Sequence, residues 1–380
     1  MVENTLSAEV SCIYCGNVAK LESDIKGLEV YKCSTCPSSF LPEERVGNFF
    51  DWTEYVLFAS ADVYNTKSSE LCFYPIEYLT DALGNIGRSE LVVIGADTGI
   101  GKTQLCNDVA YLNAGRQKNV YLFSLEGDKY DVANRERYKQ ACRLYFADKE
   151  RKKIDLSYKD FISNKTDKSF EQYTIIAETQ MRKAYAKTLH IYDRSELLNL
   201  ACLEEQLDIV HKDADLIIID HLHYFDYGNQ SEHLEITKIM KQIQVLKSKY
   251  RIPFVIASHL RKKGKDRVFP DNNDFHGSSN IAKQADTCII LAHTNFEDTN
   301  EGYKTNVYET GIRITKNRSG LSQNLLGVVN FDATKKLYSD EYTMGAVSDK
   351  GAYRLEAEYY PKWAKKRKDN SPYTDDKYYK

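Results

Sequence analysis

Residues 91–103, LVVIGADTGIGKT, decide how this chain is read: four apolar residues, Leu91 to Ile94, run straight into a glycine-bearing turn that ends in Lys-Thr. From Ala96 to Thr103 the order is A-x-x-x-x-G-K-T, the Walker A pattern with alanine in place of its leading glycine. The chemistry asks for these residue types. Small residues let the backbone N–H groups along Ala96, Asp97, Thr98, Gly99, Ile100 and Gly101 curl around a β-phosphate, and the helix that follows adds its positive N-terminal end. Lys102 supplies a point charge to the β- and γ-phosphates, and the Thr103 hydroxyl can ligate Mg²⁺. Leu105, Val109, Ala110 and Leu112 follow at helical spacing. An ordinary glycine-rich strand-to-helix turn would share the pattern without that context. The stretch predicts a site for a nucleoside triphosphate, ATP, with Mg²⁺.

Further strand-like runs lie downstream, at Val120–Ser124, Leu189–Tyr192, Leu216–Ile219, Phe254–Ala257, Cys288–Leu291, Gly311–Thr315 and Leu326–Phe331. Helical patterns alternate with them, which implies βαβ units and an α/β fold on a mostly parallel sheet. Between Arg135 and Lys187 the chain is charged and helical with no strand, as in a helical layer or insertion. At 380 residues there is length for one large core plus a small accessory module. A hydrophobic content of 42% and a charged content of 28% describe a soluble globular protein, and no apolar run is long enough for a membrane span. The N-terminus lacks the basic-then-apolar layout of a secretory signal, so a cytosolic protein that avoids membranes is expected. The net charge of −3 gives no global pull toward nucleic acid, so such binding would rest on local basic patches.

Nine cysteines, an odd number, point to thiols and metal ligands in a reducing compartment. Cys12-x-x-Cys15 and Cys33-x-x-Cys36, with seventeen residues between the pairs, match zinc-ribbon spacing. Four thiolates on two tight turns would hold a structural Zn²⁺, which would supply folding energy that so short a segment cannot draw from apolar burial. The remaining cysteines, Cys72, Cys106, Cys142, Cys202 and Cys288, read as core packers.

A phosphate loop needs a second acid for Mg²⁺ and a group to activate water. Leu216–Asp220, LIIID, is an apolar strand ending in an acid, the Walker B arrangement that assigns Asp220 to the Mg²⁺ shell. Val120–Glu126, VYLFSLE, is a second such strand; placed beside the phosphate-loop strand, it would make Glu126 the general base. Phe254–His259, FVIASH, puts His259 where a polar side chain can feel the γ-phosphate. The run that follows, with Arg261, Lys262, Lys263, Lys265 and Arg267, is either a solvated surface or a loop that grips nucleic-acid phosphates.

Together FSLE (123–126), LIIIDHLHY (216–224), IASHLRK (256–262), DFHGSSNIAKQADTCIIL (274–291) and ITKNRSG (314–320) resemble the DnaB-like replicative helicases, hexameric ATPases of RecA-like fold. The resemblance runs from about Leu71 to Tyr338. It implies that Lys102, Thr103, Glu126 and Asp220 act as above and that His259 is the γ-phosphate sensor. It makes Lys316 and Arg318 the pair that reaches a neighbouring subunit's γ-phosphate, a role suited to a fork-shaped guanidinium. It further implies a homo-hexamer threading single-stranded DNA at a fork, unwinding polarity 5′→3′, and a primase or helicase loader as partner. DNA contacts are then expected after Asp220, at about Tyr224–His233, and after His259, at Arg261–Phe269.

The chain departs from that family at its N-terminus, where a zinc module stands in place of a helical domain. A zinc-bearing motor is similar to phage-type helicase-primases, yet too few residues separate Cys36 from the phosphate loop for a primase catalytic domain. Zinc followed by a RecA-like core also resembles the RadA branch-migration ATPases, though no room follows Tyr338 for their protease-like domain. The expected division is therefore a zinc-ribbon module at 1–45, a linker helix region at 46–70 that includes the aromatic-rich Phe49–Ala59, an ATPase core at 71–345, and a basic, tyrosine-rich tail at 346–380. That tail carries Lys365-Lys366-Arg367-Lys368 and then Tyr373, Tyr378 and Tyr379, a mixture found in solubilising ends and in surfaces that stack bases. The leading function is an ATP-dependent DNA helicase in replication. A recombination or repair ATPase and a nucleotide-switched DNA- or partner-binding module are the alternatives.

Overall fold

In the computed structural model the described residues are 10–11, 17–25, 28–35, 39–40, 71–192, 198–228, 231–261, 269–277, 280–294, 306–320, 324–347, 353–354 and 361. They fall into two compact units, Met1–Leu71 and Cys72–Lys380.

The first unit holds a four-stranded sheet in the order β1 (Val10–Ser11), β2 (Val18–Ile25), β3 (Leu28–Cys33), β4 (Ser39–Phe40), antiparallel throughout. Ser11 pairs with Val18, Ala19 with Cys33, and Lys32 with Ser39. The C-terminal ends of β1 and β3 and the N-terminal ends of β2 and β4 therefore lie at one end of this sheet. Cys33 is buried, and its Sγ accepts the Thr35 N–H at 3.3 Å. Cys12, Cys15 and Cys36 lie outside the described residues, as do the expected linker helix at Phe49–Ala59 and the cationic tail.

The second unit opens with α1 (Glu77–Leu83), then β5 (Leu91–Ala96), α2 (Lys102–Gly115) and β6 (Val120–Ser124). Next come α3 (Lys129–Ala147), α4 (Tyr158–Ile162), α5 (Glu171–Tyr185) and β7 (Leu189–Ile191). The chain continues through α6 (Leu200–Val210), β8 (Leu216–Asp220), α7 (Glu232–Tyr250), β9 (Phe254–His259), α8 (Asn280–Gln284) and β10 (Thr287–His293). It ends in β11 (Val307–Asn317), β12 (Leu326–Asp332), β13 (Leu337–Tyr338), β14 (Thr343–Val347) and β15 (Tyr353–Arg354). These strands form one sheet in the order β15-β14-β12-β11-β10-β5-β9-β8-β6-β7, with β13 against β12. From β10 to β7 neighbours are parallel, and from β10 to β15 they are antiparallel.

The central strands are apolar on both faces because both faces are covered. Every residue of β5 and β8 is buried, the pattern of a parallel sheet sandwiched between helices. Alternate residues of β5 feed two cores, Val92 and Ile94 packing with Leu105 and Val109 of α2, and Leu91 and Val93 with Ile239, Met240 and Ile243 of α7. The last three recur at helical spacing, which fixes the face that α7 turns inward. A third cluster, Tyr138, Cys142, Phe170 and Ala177 among others, joins α3 to α5.

Two expectations are corrected. Glu126 follows β6, and β6 does not lie beside the phosphate-loop strand β5; β9 and β8 stand between them. The pairing of β6 with β8 rather than β5 is set by long-range burial, which strand-by-strand reading does not capture. The sheet also runs past residue 345, since β14 ends at Val347 and pairs with β15 at Tyr353–Arg354.

α1 sits against the antiparallel half of the sheet through Tyr78, whose buried ring lies over the Gly327 backbone of β12; a Cβ there would fall 2.4–2.6 Å from ring atoms. Gly327→Ala should therefore destabilise the core by about 1–3 kcal/mol, the range for overpacking a filled site. A lowered urea midpoint with an unchanged slope is the expected measurement, and wild-type stability would refute the packing described.

Candidate functional site

Four strand ends meet at one edge of the parallel sheet, and each presents a polar residue. β5 ends in the loop Asp97–Gly101, where Gly99 (φ +84°) and Gly101 (φ +106°) take up left-handed backbone that other residues rarely adopt. α2 begins at Lys102, so its first N–H groups face the loop. β9 ends in His259, β8 in Asp220, and Glu126 follows β6. Backbone bonds from the Leu125 and Glu126 N–H groups to the Asp220 carbonyl, at 2.6 and 3.3 Å, hold the last two ends together.

The side chains converge. Lys102 Nζ donates to His259 Nδ1 at 2.9 Å. The Thr103 hydroxyl lies 3.4 Å from Asp220 Oδ1 and 3.4 Å from Glu126 Oε2. Lys102 and Asp220 are buried, whereas the Glu126 side chain is 41% exposed and open to a substrate. Burial pushes the Asp220 carboxyl up to about 6, against the opposing pull of Lys102 and the Thr103 hydroxyl. Burial also lowers the Lys102 ammonium, against the attraction of Asp220 and Glu126. Burial and the Lys102 charge pull His259 down to about 4, so its imidazole is a neutral acceptor at neutral pH.

Around these groups lies a cavity of about 510 Å³, lined by Asp97, Thr98, Gly99, Gly101, Lys102, Thr103, Glu126 and His259. Of the expected phosphate-loop residues, Ala96 and Ile100 do not line the cavity; Ala96 is buried in the core and Ile100 packs against it. Asp220 Oδ2 is buried with no hydrogen-bond partner. A hard cation with its water shell satisfies such an oxygen, so Thr103 and Asp220 fit the Mg²⁺ of a bound nucleotide.

Several residues at the cavity were not singled out from sequence. His221, next to Asp220, is fully buried; its Nδ1 accepts the His223 N–H at 3.3 Å, which turns Nε2 toward Glu126 Oε2, 3.8 Å away. Asp131 and Arg135, four apart on α3, line the cavity, as do Lys336 from the far end of the chain and Asn107 of α2. Neither amide atom of buried Asn107 has a protein partner. The signal for His221 was its adjacency to Asp220 and for Arg135 its place on the helix that follows Glu126; for Lys336 no local signal exists.

Lys316 and Arg318 stand at the opposite edge. Thr287, which starts β10, pairs with both Val92 at the start of β5 and Asn317 at the end of β11. Lys316 Nζ donates to the carbonyls of Ala282 and Lys283 at 2.8 and 3.0 Å, and Arg318 pairs with Asp286 Oδ1 at 2.6 Å while remaining 61% exposed. Neither lines the chain's own cavity. Of the basic run after His259, Arg261 is exposed and its N–H donates to the Asp274 carbonyl; Lys262, Lys263, Lys265 and Arg267 lie outside the described residues.

Fold and cavity define a RecA-like ATPase core of the P-loop superfamily. The family model for the DnaB-like helicase C-terminal domain matches residues 75–338, well over half of the chain, and the chain belongs to that family. Solved structures agree on the fold. One, of an ATPase domain, superposes with a TM-score of 0.62 at 15% identity, over 77% of this chain and 99% of that one. Another, of a DnaB-like replicative helicase and its interactions with primase, superposes with a TM-score of 0.59 at 15% identity, over 77% of this chain and 67% of that one. No curated protein sequence matches the chain.

A Cβ added at Gly101 would fall 2.3 Å from the Tyr338 hydroxyl, which donates to the Gly101 carbonyl at 3.1 Å, and would force a side chain into φ +106°. Gly101→Ala should raise the Kd for a fluorescent Mg·ATP analogue about tenfold or more, since such strain costs roughly 1–3 kcal/mol. Removing the hydroxyl as well, in Gly101→Ala with Tyr338→Phe, should restore only part of the affinity because the backbone strain remains.

Proposed function

We propose that this chain is an ATP-driven DNA helicase motor that works as a closed ring, most simply a hexamer, and displaces one strand of a fork while moving along the other. The observation that carries this reading is the opposed placement of two half-sites. Lys102, Thr103, Glu126 and His259 line the cavity at the carboxyl edge of the parallel strands, with Asp220 against the Thr103 hydroxyl, while Lys316 and Arg318 occupy the other edge. A guanidinium there serves a phosphate only if that phosphate belongs to another copy of the chain.

Within one subunit the roles follow from the contacts. The loop N–H groups and Lys102 hold the phosphates. Thr103 and Asp220 hold Mg²⁺, which when bound neutralises charge on the β- and γ-phosphate oxygens. Glu126, exposed to the cavity, takes the proton of a water attacking the γ-phosphorus. His221 beside it is kept neutral by burial and the nearby Lys102 charge, so it adds no cation to compete for that carboxylate. His259 accepts a Lys102 N–H. A γ-phosphate drawing Lys102 away would free that imidazole, and the loop beginning at Arg261 would feel the change. That loop and the segment after Asp220 are the proposed DNA contacts, since each follows a strand that ends at the candidate site.

The N-terminal unit is proposed as a zinc ribbon holding a structural Zn²⁺ through Cys12, Cys15, Cys33 and Cys36. In support, the strand ends that flank the two cysteine-bearing segments, Ser11 with Val18 and Cys33 with Ser39, lie at one end of their sheet. A primase or a helicase loader is the proposed partner, in keeping with the primase interactions of one similar structure, and the cytosol the proposed location. Among the described residues no helix is long and apolar enough to cross a membrane.

Glu126→Gln should bind Mg·ATP with wild-type affinity and lose about 10²–10⁴-fold in turnover, the usual worth of a general base, together with all unwinding of a forked duplex. Retained unwinding in that variant would point to a nucleotide-controlled binding module. Arg318→Ala should bind nucleotide normally and hydrolyse it poorly. Mixed with Lys102→Ala, it should regain turnover, because some seams then join an intact cavity to an intact guanidinium. Two inactive variants that stay inactive when mixed would place the Arg318 guanidinium in the chain's own site and contradict the ring.

A further inference from the structure

Behind His259, side chains from three segments meet at a point that the ATP reaction does not use. His223 lies in the turn after β8, Glu232 opens α7, and His276 follows Phe275 in the segment leading to α8. Their ligand atoms all lie within 4.8 Å of one another. Glu232 Oε1 stands 2.8 Å from His223 Nδ1 and 3.4 Å from His276 Nδ1. Ligands bound at about 2.0–2.1 Å to one tetrahedral ion stand roughly 3.3–3.4 Å apart; the Glu232–His276 separation already matches, and the Glu232–His223 pair needs to open by about half an ångström. We propose that His223, Glu232 and His276 bind a divalent transition-metal ion of the Zn²⁺ class, with a fourth position left to water.

Three features support a built site over a chance meeting. The outer nitrogen of His223, Nε2, lies 3.2 Å from the Ser258 hydroxyl. A ligating imidazole is normally steadied through its second nitrogen in this way, which leaves Nδ1 and its lone pair facing Glu232. The His223 side chain is 8% exposed, whereas Glu232 and His276 are 39% and 49% exposed, so an anchored ligand is backed by two that solvent reaches. Gly277, at φ +83°, lets the His276 segment close on the cluster; a Cβ there would fall 2.5 Å from Ile236 and 3.4 Å from the His223 ring. Two imidazoles and one carboxylate favour Zn²⁺, Co²⁺ or Ni²⁺ over Mg²⁺, so the site is chemically distinct from the Mg²⁺ position at Asp220. The His223 ring also lies 5.5 Å from that of His259, at 29° between planes. An ion here would tie the start of α7 and the His276 segment to the strand end that senses phosphate.

The test uses the metal-stripped full-length chain titrated with Co²⁺ in the absence of nucleotide, which keeps it independent of the ATPase reading. Beyond any Co²⁺ taken up by the N-terminal cysteines, one further Co²⁺ per chain should bind and add ligand-field absorption without adding to the thiolate charge-transfer bands, and Zn²⁺ but not excess Mg²⁺ should displace it. His276→Ala, on a half-exposed position that the core does not need, should lose that ion while keeping its circular dichroism spectrum and any thiolate–cobalt bands from the N-terminal cysteines. His223→Gln should lose it as well. A wild-type chain with no such cobalt signal, or a signal undiminished in both variants, would overturn the proposal.

Discussion

A carboxylate held out of water at the end of β8 is the constraint around which this structure is arranged. Asp220 is fully buried, and isolating an ionised carboxylate in that way costs several kcal/mol. Lys102 offsets part of the cost by charge and Thr103 part by its hydroxyl, yet the carboxyl is still pushed up to about 6 and one of its oxygens has no protein partner. A group left so incompletely satisfied is poised for a cation. The spatial order β5-β9-β8-β6 sets His259, Asp220 and Glu126 in a row beside the phosphate loop, although the chain visits those strands as β5, β6, β8 and β9.

At the far edge a second buried acid, Asp286, organises the residues around Arg318. Asp286 accepts the Leu91 N–H at 2.9 Å, is paired with Lys247, and meets Arg318 at 2.6 Å. The first two contacts anchor the start of the phosphate-loop strand. In the third the Arg318 side chain is 61% exposed although Asp286 is not, and solvent on the guanidinium side keeps such a contact near the roughly 0–1 kcal/mol of surface pairs. Arg318 can therefore leave Asp286 for a stronger anion at little cost, while Asp286 keeps Lys247 and the backbone. One strand, β5, thus runs from the acid that holds Arg318 to the glycine-bearing loop at Asp97–Gly101.

The features legible in the sequence were those written locally. The run into A-x-x-x-x-G-K-T, the acids that end two apolar strands, and the positions of the strands themselves all depend on spacing within a dozen residues, and α/β alternation follows from them. Sheet order does not, because it is decided by which buried faces match across the whole unit; the expectation that Glu126 sits on a strand next to β5 failed for that reason. The same limit hid Lys336, which reaches the cavity from some two hundred residues beyond the loop, and Asn107, whose unpartnered amide has meaning only once the cavity exists. His223 and His276 stood inside segments quoted for their resemblance to helicases, but their meeting with Glu232 depends on α7 returning past the end of β9.

The central claim is that the working site is shared between neighbouring copies and is driven by nucleic acid. The most direct measurement is specific ATP turnover as a function of protein concentration, with and without single-stranded DNA. Turnover per chain is predicted to rise with concentration to a plateau as rings assemble, and single-stranded DNA to raise it further. Turnover per chain that is constant across the whole concentration range and indifferent to DNA would contradict the shared site.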